Sequence, residues 1–161
     1  METAEISTAH RPWAAFPDDY RADLVARLGS WIGGGRSGCV VGMGGAGKSN
    51  LLGFLADRPQ AVDPYLPPGR RALVALLDLN GLPAFDGATL YRGIFRALHQ
   101  HRGRLDPRLA AALDARFQEL LPERDPFVAQ TQLLRFLEEL LAQPWQLALV
   151  LDRFDRLDQR A

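Results

Sequence analysis

Residues Gly42–Ser49 read Gly-Met-Gly-Gly-Ala-Gly-Lys-Ser, preceded by the apolar run Gly38–Met43 and continued by Lys48–Asp57, in which Leu51, Leu52 and Leu55 recur at helical spacing. A strand-like run, a glycine turn and a helix, in that order, form the context in which the pattern G-x-x-x-x-G-K-[ST] has a mechanism. Glycines at 44, 45 and 47 admit backbone conformations closed to other residues, so successive N–H groups can point into one concavity and cradle an anion. The helix N-terminus behind them adds partial positive charge. Lys48 is the only lysine in a chain with nineteen Lys plus Arg. Every other basic position is arginine, whose planar guanidinium suits such a nest poorly, whereas a compact ammonium on a flexible stem can follow a phosphate chain. Ser49 adds a hydroxyl suited to a divalent cation. The alternative, a glycine-rich turn that matches by chance, leaves the strand-loop-helix context unexplained.

Around this feature helices and strands alternate. Tyr20, Leu24, Val25, Leu28, Trp31 and Ile32 share one helical stripe, with Asp18 and Asp19 near its start and Gly33–Gly35 past its end. Ala56–Arg70 is proline-rich and aperiodic, hence a loop. Ala72–Asn80 is nearly continuously apolar, as a parallel strand covered on both faces would be. Leu90, Tyr91, Ile94, Phe95 and Leu98 predict a helix over 88–100. Asp106-Pro107 and Asp125-Pro126 each supply an N-cap acceptor and a proline at the first helical position, predicting helices Pro107–Leu121 and Pro126–Ala142. Trp145–Asp152 is the last strand. The organisation expected is a lead-in over 1–36 with an amphipathic helix, then one α/β domain over 37–161.

The second acidic position that this chemistry needs stands at Asp152, at the end of the apolar strand Leu147–Leu151. This is the Walker B pattern, which holds Mg2+ in P-loop NTPases; an ordinary strand ending in aspartate is the bland reading. Together "VVGMGGAGKSNLLGFL", "ALLDLNGLP" and "LVLDRFDRL" resemble the regulatory ATPases of the AAA+ and STAND groups, and the ATPase cores of origin-recognition-like proteins, over about Ser37–Leu157. The resemblance implies a three-layer P-loop NTPase fold with a mainly parallel sheet, here a fragment ending shortly after Walker B. It implies an ATP-dependent switch reporting to C-terminal sensor and effector domains outside the segment. In such families another strand, downstream of Walker B, lies between the P-loop strand and the Walker B strand. The nucleotide-binding residues are then Gly42, Gly44, Gly45, Ala46, Gly47, Lys48, Ser49 and Asn50, and Ser49 and Asp152 hold Mg2+. Many family members follow the Walker B aspartate with another acidic residue that polarises the attacking water. Here Arg153 follows, so Asp152 and Asp155 are the catalytic candidates, with a helix N-cap or surface carboxylate the competing role for Asp155.

ATP, with ADP as its product, is preferred to GTP because Lys48, already committed, leaves no lysine for a guanine-reading Asn-Lys-x-Asp motif. A formal net charge of zero gives no overall pull toward nucleic acid, which is disfavoured as a partner. The absence of a long apolar run argues against a membrane span and for a cytoplasmic protein, and a homo-oligomer is compatible with the family. Cys39, inside an apolar run, is expected to be a buried, inert thiol. Arg92, Arg96 and His99 share a helical face, read as solvated; His99 and His101 face different ways and make a poor metal pair. Asp78 is read as a turn cap. The alternatives to a regulatory ATPase are a small P-loop kinase with a lid made from 107–142, or a scaffold that holds nucleotide without turnover.

Overall fold

Two parallel strands and the helices on their two faces make up the architecture of residues 12–154, which the computed structural model describes. In chain order the elements are α1 (Ala22–Gly33), α2 (Lys48–Asp57), β1 (Arg71–Asp78), α3 (Gly87–His99), α4 (Pro107–Leu120), α5 (Pro126–Leu141) and β2 (Trp145–Asp152). Short 3-10 turns cover Pro12–Ala15, Pro59–Ala61, Asp63–Tyr65, Leu79–Gly81 and Arg102–Arg104. Strands β1 and β2 pair in parallel from Arg71↔Trp145 to Asp78↔Asp152. No helix among the described residues is long and apolar enough to cross a membrane.

Strand β1 is apolar on both faces because both of its faces are covered, whereas β2 is buried only at Trp145 and leaves Leu149 41% exposed. Leu73, Ala75 and Leu77 of β1 pack with α3, α4 and α5 around Phe95, Leu113, Phe136 and Leu140, all four of these fully or almost fully buried. Ala72 and Val74 point the other way, into a second core with Val25 of α1 and Leu51, Phe54 and Leu55 of α2. The helix starts are set locally. Asp106 accepts from the amides of Arg108 and Leu109 at 3.0 and 3.1 Å, and Asp125 from that of Phe127 at 2.8 Å, so both Asp-Pro signals act as N-caps. At α3 the cap is Asp86, which accepts from both the amide and the hydroxyl of Thr89 at 2.8 Å.

Three expectations fail. Gly38–Met43 is no strand: residues 36–43 make no ladder, with Val41 88% and Met43 84% exposed. A strand is held by a partner's hydrogen bonds, and no described strand runs beside this segment. For the same reason Cys39 is exposed rather than buried. The lead-in helix also starts later than Asp18 and Asp19 suggest, at Ala22, because Arg21 takes the left-handed conformation, with φ 49° and ψ 44°.

Candidate functional site

The end of the sheet at which α2 begins is fixed by contacts at the opposite end. Arg104, just past α3, donates to the carbonyls of Ala56 and Asp57 at 3.5 and 2.7 Å, and these are the last residues of α2. Because α3 starts soon after the C-terminal end of β1, both helices run antiparallel to the strands. The glycine loop 42–47 and Asp152 therefore lie at the same end, the C-terminal end of the sheet, where open α/β sheets bind ligands.

Within the loop, Gly45 and Gly47 both have φ of 77°, in the left-handed region that a side chain disfavours. A Cβ built on Gly44 or Gly45 meets nothing within 4 Å, so this side of the loop faces open space. Gly47 caps α2, whose first residue is Lys48. The Lys48 ammonium folds back over the loop and donates to the carbonyls of Gly42 and Met43 at 2.6 and 2.9 Å. Ala46 is exposed, Ser49 half-buried and Asn50 exposed on the first turn of α2.

Sequence reasoning passed over Arg21. Its guanidinium reaches across from the start of α1 to donate to the Ala46 carbonyl at 2.7 Å, and lies 2.9 Å from where a Cβ on Gly47 would stand. A second positive group thus sits beside Lys48 at the loop. No local signal marks it, since arginine is an unexpected residue for a left-handed position.

At the end of β2, Asp152 is half-buried and its Oδ1 accepts from the amide of Arg153 at 2.9 Å. Arg153 also adopts a positive φ, 59°, and its Nε stands 3.7 Å from Oδ1 of Asp78, the residue in register with Asp152 on the neighbouring strand. Asp78 in turn accepts from the amide of Asn80 at 2.9 Å, the turn-cap role its sequence suggests. With both Arg153 and Asp78 about half exposed, the pair adds little to stability. It does place the Arg153 side chain toward the neighbouring strand β1. Asp155 lies outside the described residues.

The oxygen donors present, a serine hydroxyl on the first turn of α2 and a carboxylate at the end of β2, are hard ligands of the kind Mg2+ takes. An exposed loop with left-handed glycines, a helix N-terminus and an adjoining lysine suits a polyphosphate. The remaining polar residues of note separate. His99 stacks on Phe117 and bonds Asp114 at 2.6 Å, and Arg92 donates to the Glu123 carbonyl at 3.0 Å, so α3 fastens to α4 and the turn after it through two of its three basic residues. Comparison with family models, with characterised proteins and with solved structures found no match for the chain.

Proposed function

We propose that the chain is the Mg-ATP-binding module of a regulatory ATPase of the P-loop class, with ATP binding and slow hydrolysis acting as a switch. The observation that carries the reading is the loop 42–49 itself: left-handed Gly45 and Gly47, the N-terminus of α2 and the Lys48 ammonium converge at the sheet end where Asp152 stands. In this reading backbone N–H groups of residues 44–48 hold the β- and γ-phosphates, Lys48 exchanges its loop carbonyls for phosphate oxygens, and Ser49 and Asp152 supply ligands to Mg2+. The metal's contribution is to neutralise charge developing on the phosphates. The three-layer arrangement with a mainly parallel sheet belongs to the same proposal. The unladdered run 36–43 is compatible with a strand order in which another strand lies between it and β2.

Slow turnover follows from the residues beside Asp152. Arg153 cannot accept a proton from water, and it leans on Asp78. The kinase alternative loses support because α4 and α5, which would form its lid, bury Leu109, Leu113, Leu133 and Phe136 in the main core.

The test is calorimetric titration with ATP, with and without Mg2+, on wild type and Asp152→Asn, followed by steady-state phosphate release. Mg2+ should tighten binding in the wild type and do little for the variant, and turnover should stay far below the ~10 per second typical of enzymes. Metal-independent binding that ignores Asp152 would overturn the assignment of the metal site; fast Lys48-dependent turnover would overturn the switch reading.

A further inference from the structure

A cavity of about 1190 Å³ lies away from the glycine loop, beside the C-terminal half of β1. One wall is Trp13 with the end of α2 at Ala56; the other is α3, with Thr89, Gly93 and Arg96; the floor is Leu76–Asp78. The backbone geometry of that floor follows from the ladder. In a parallel pair alternate residues direct both N–H and C=O to the partner, and the others direct both away. Arg71 donates its amide to the Pro144 carbonyl at 2.9 Å on the β2 side, so odd positions face β2 and even positions face outward. Ala72 confirms the parity, because its amide is met from the outer side by the Asp63 carboxylate at 2.9 Å. The outer edge is thus closed by Asp63 at its start, whereas at Leu76, which lines the groove, the outward N–H and C=O bond no described residue.

We infer that this groove receives an extended peptide segment that adds as a strand to β1 at Leu76–Asp78 and places one acidic side chain against Arg96. Charge selects the occupant. Arg96 is exposed, lines the groove and makes no hydrogen bond or ion pair with a described residue. Arg92, one turn earlier on the same wall, spends its donors on the Leu121 and Glu123 carbonyls and the Thr89 hydroxyl, which leaves its charge acting on the groove and on Asp86. Asp57 and Asp78 stand among the residues that line the two ends. The complement is therefore a single carboxylate at the middle, flanked by aliphatic residues facing Trp13, Leu82 and Pro83, and not a polyanion. From Thr89 to His99 the α3 wall runs about 15 Å, which accommodates ~4–5 residues of extended chain. Strand addition supplies affinity through main-chain bonds and specificity through alternate side chains. The inference does not depend on the nucleotide reading.

The probe is a phage-displayed random dodecapeptide library panned on the full chain, with selected peptides titrated against wild type and Arg96→Glu, and amide exchange followed by NMR. Enriched peptides should share one acidic residue between aliphatic ones, bind Arg96→Glu at least tenfold more weakly, and slow exchange of the Leu76 amide. Failure to enrich any peptide, equal affinity for Arg96→Glu, or an unprotected Leu76 amide would overturn the proposal. Protection of Leu76 by concentration-dependent self-association alone would overturn it too, in favour of a second copy of the chain.

Discussion

Arg21 offers a substitution whose sign is opposite to ordinary expectation. In a helix, glycine is less favourable than alanine by about 1 kcal/mol. Arg21, however, sits just before α1 in the left-handed conformation, with no side-chain cap bond, and its carbonyl accepts from the amides of Leu24 and Val25 at 2.9 and 3.0 Å. A residue with a Cβ costs roughly 1–2 kcal/mol there, and glycine does not. Both Arg21→Ala and Arg21→Gly lose the bond to the Ala46 carbonyl, worth about 1 kcal/mol at an exposed site. Alanine keeps the backbone strain, so that variant should be less stable than wild type by about 1 kcal/mol. Glycine relieves the strain and should come out near wild type. With a slope of about 2 kcal/mol/M, the two midpoints in urea should differ by roughly 0.5 M, glycine the higher. Alanine equal to or above glycine would refute the assignment of a strained residue. The same two proteins separate stability from function: if the guanidinium steadies the loop, both should bind ATP more weakly and by a similar factor.

Further consequences are open to direct measurement. Phe136 is fully buried between α5 and α3 and packs 6.2 Å from Phe95, so Phe136→Ala should lose ~3–5 kcal/mol by chemical denaturation; a loss under 1 kcal/mol would mean the core is not packed as described. The Arg116 guanidinium hydrogen-bonds Glu139 and holds its carboxyl below the usual range. A depressed folded value gives stability that is present above the unfolded value, near 4.3, and is lost as pH falls through the folded value, so Glu139→Gln should flatten the acid limb of stability and leave it nearly unchanged when the pH dependence is followed upward from pH 6. A steep limb that persists in the variant would assign the effect elsewhere, with Asp86, lowered chiefly by the Thr89 amide, the next residue to test. Finally, Cys39 should react with a thiol reagent in the native protein at close to the rate seen in denaturant, because it is exposed.

Much of the helical framework was legible in the sequence because its signals are local. The Asp-Pro pairs name both the cap and the first helical residue, and α4 and α5 end within one residue of the expected positions. The continuous apolar run of β1 correctly implies cover on two faces, whereas β2, equally apolar, is buried only at Trp145. Gly38–Met43 has the same local character and is not a strand, since a ladder depends on what lies alongside, which a run of six residues does not encode. Exposure of Cys39 follows from that one fact. Arg21 and the Arg153–Asp78 pair depend on backbone geometry and on strand register, respectively, and neither quantity has a residue signature. At the candidate site, the glycines and Lys48 were legible because the motif encodes its own geometry. The groove beside β1 was not, because it is made by residues from five separate stretches of the chain.

The central claim is that the loop around Lys48 holds the phosphates of ATP, and the most direct measurement is a fluorescent-nucleotide titration of Lys48→Ala against wild type at fixed Mg2+ and salt. Lys48 is half-buried and bonds only carbonyls of its own loop, so its removal should leave the fold intact by circular dichroism. The account predicts affinity reduced at least tenfold, about 1.4 kcal/mol. Equal affinity in a folded Lys48→Ala protein would contradict it.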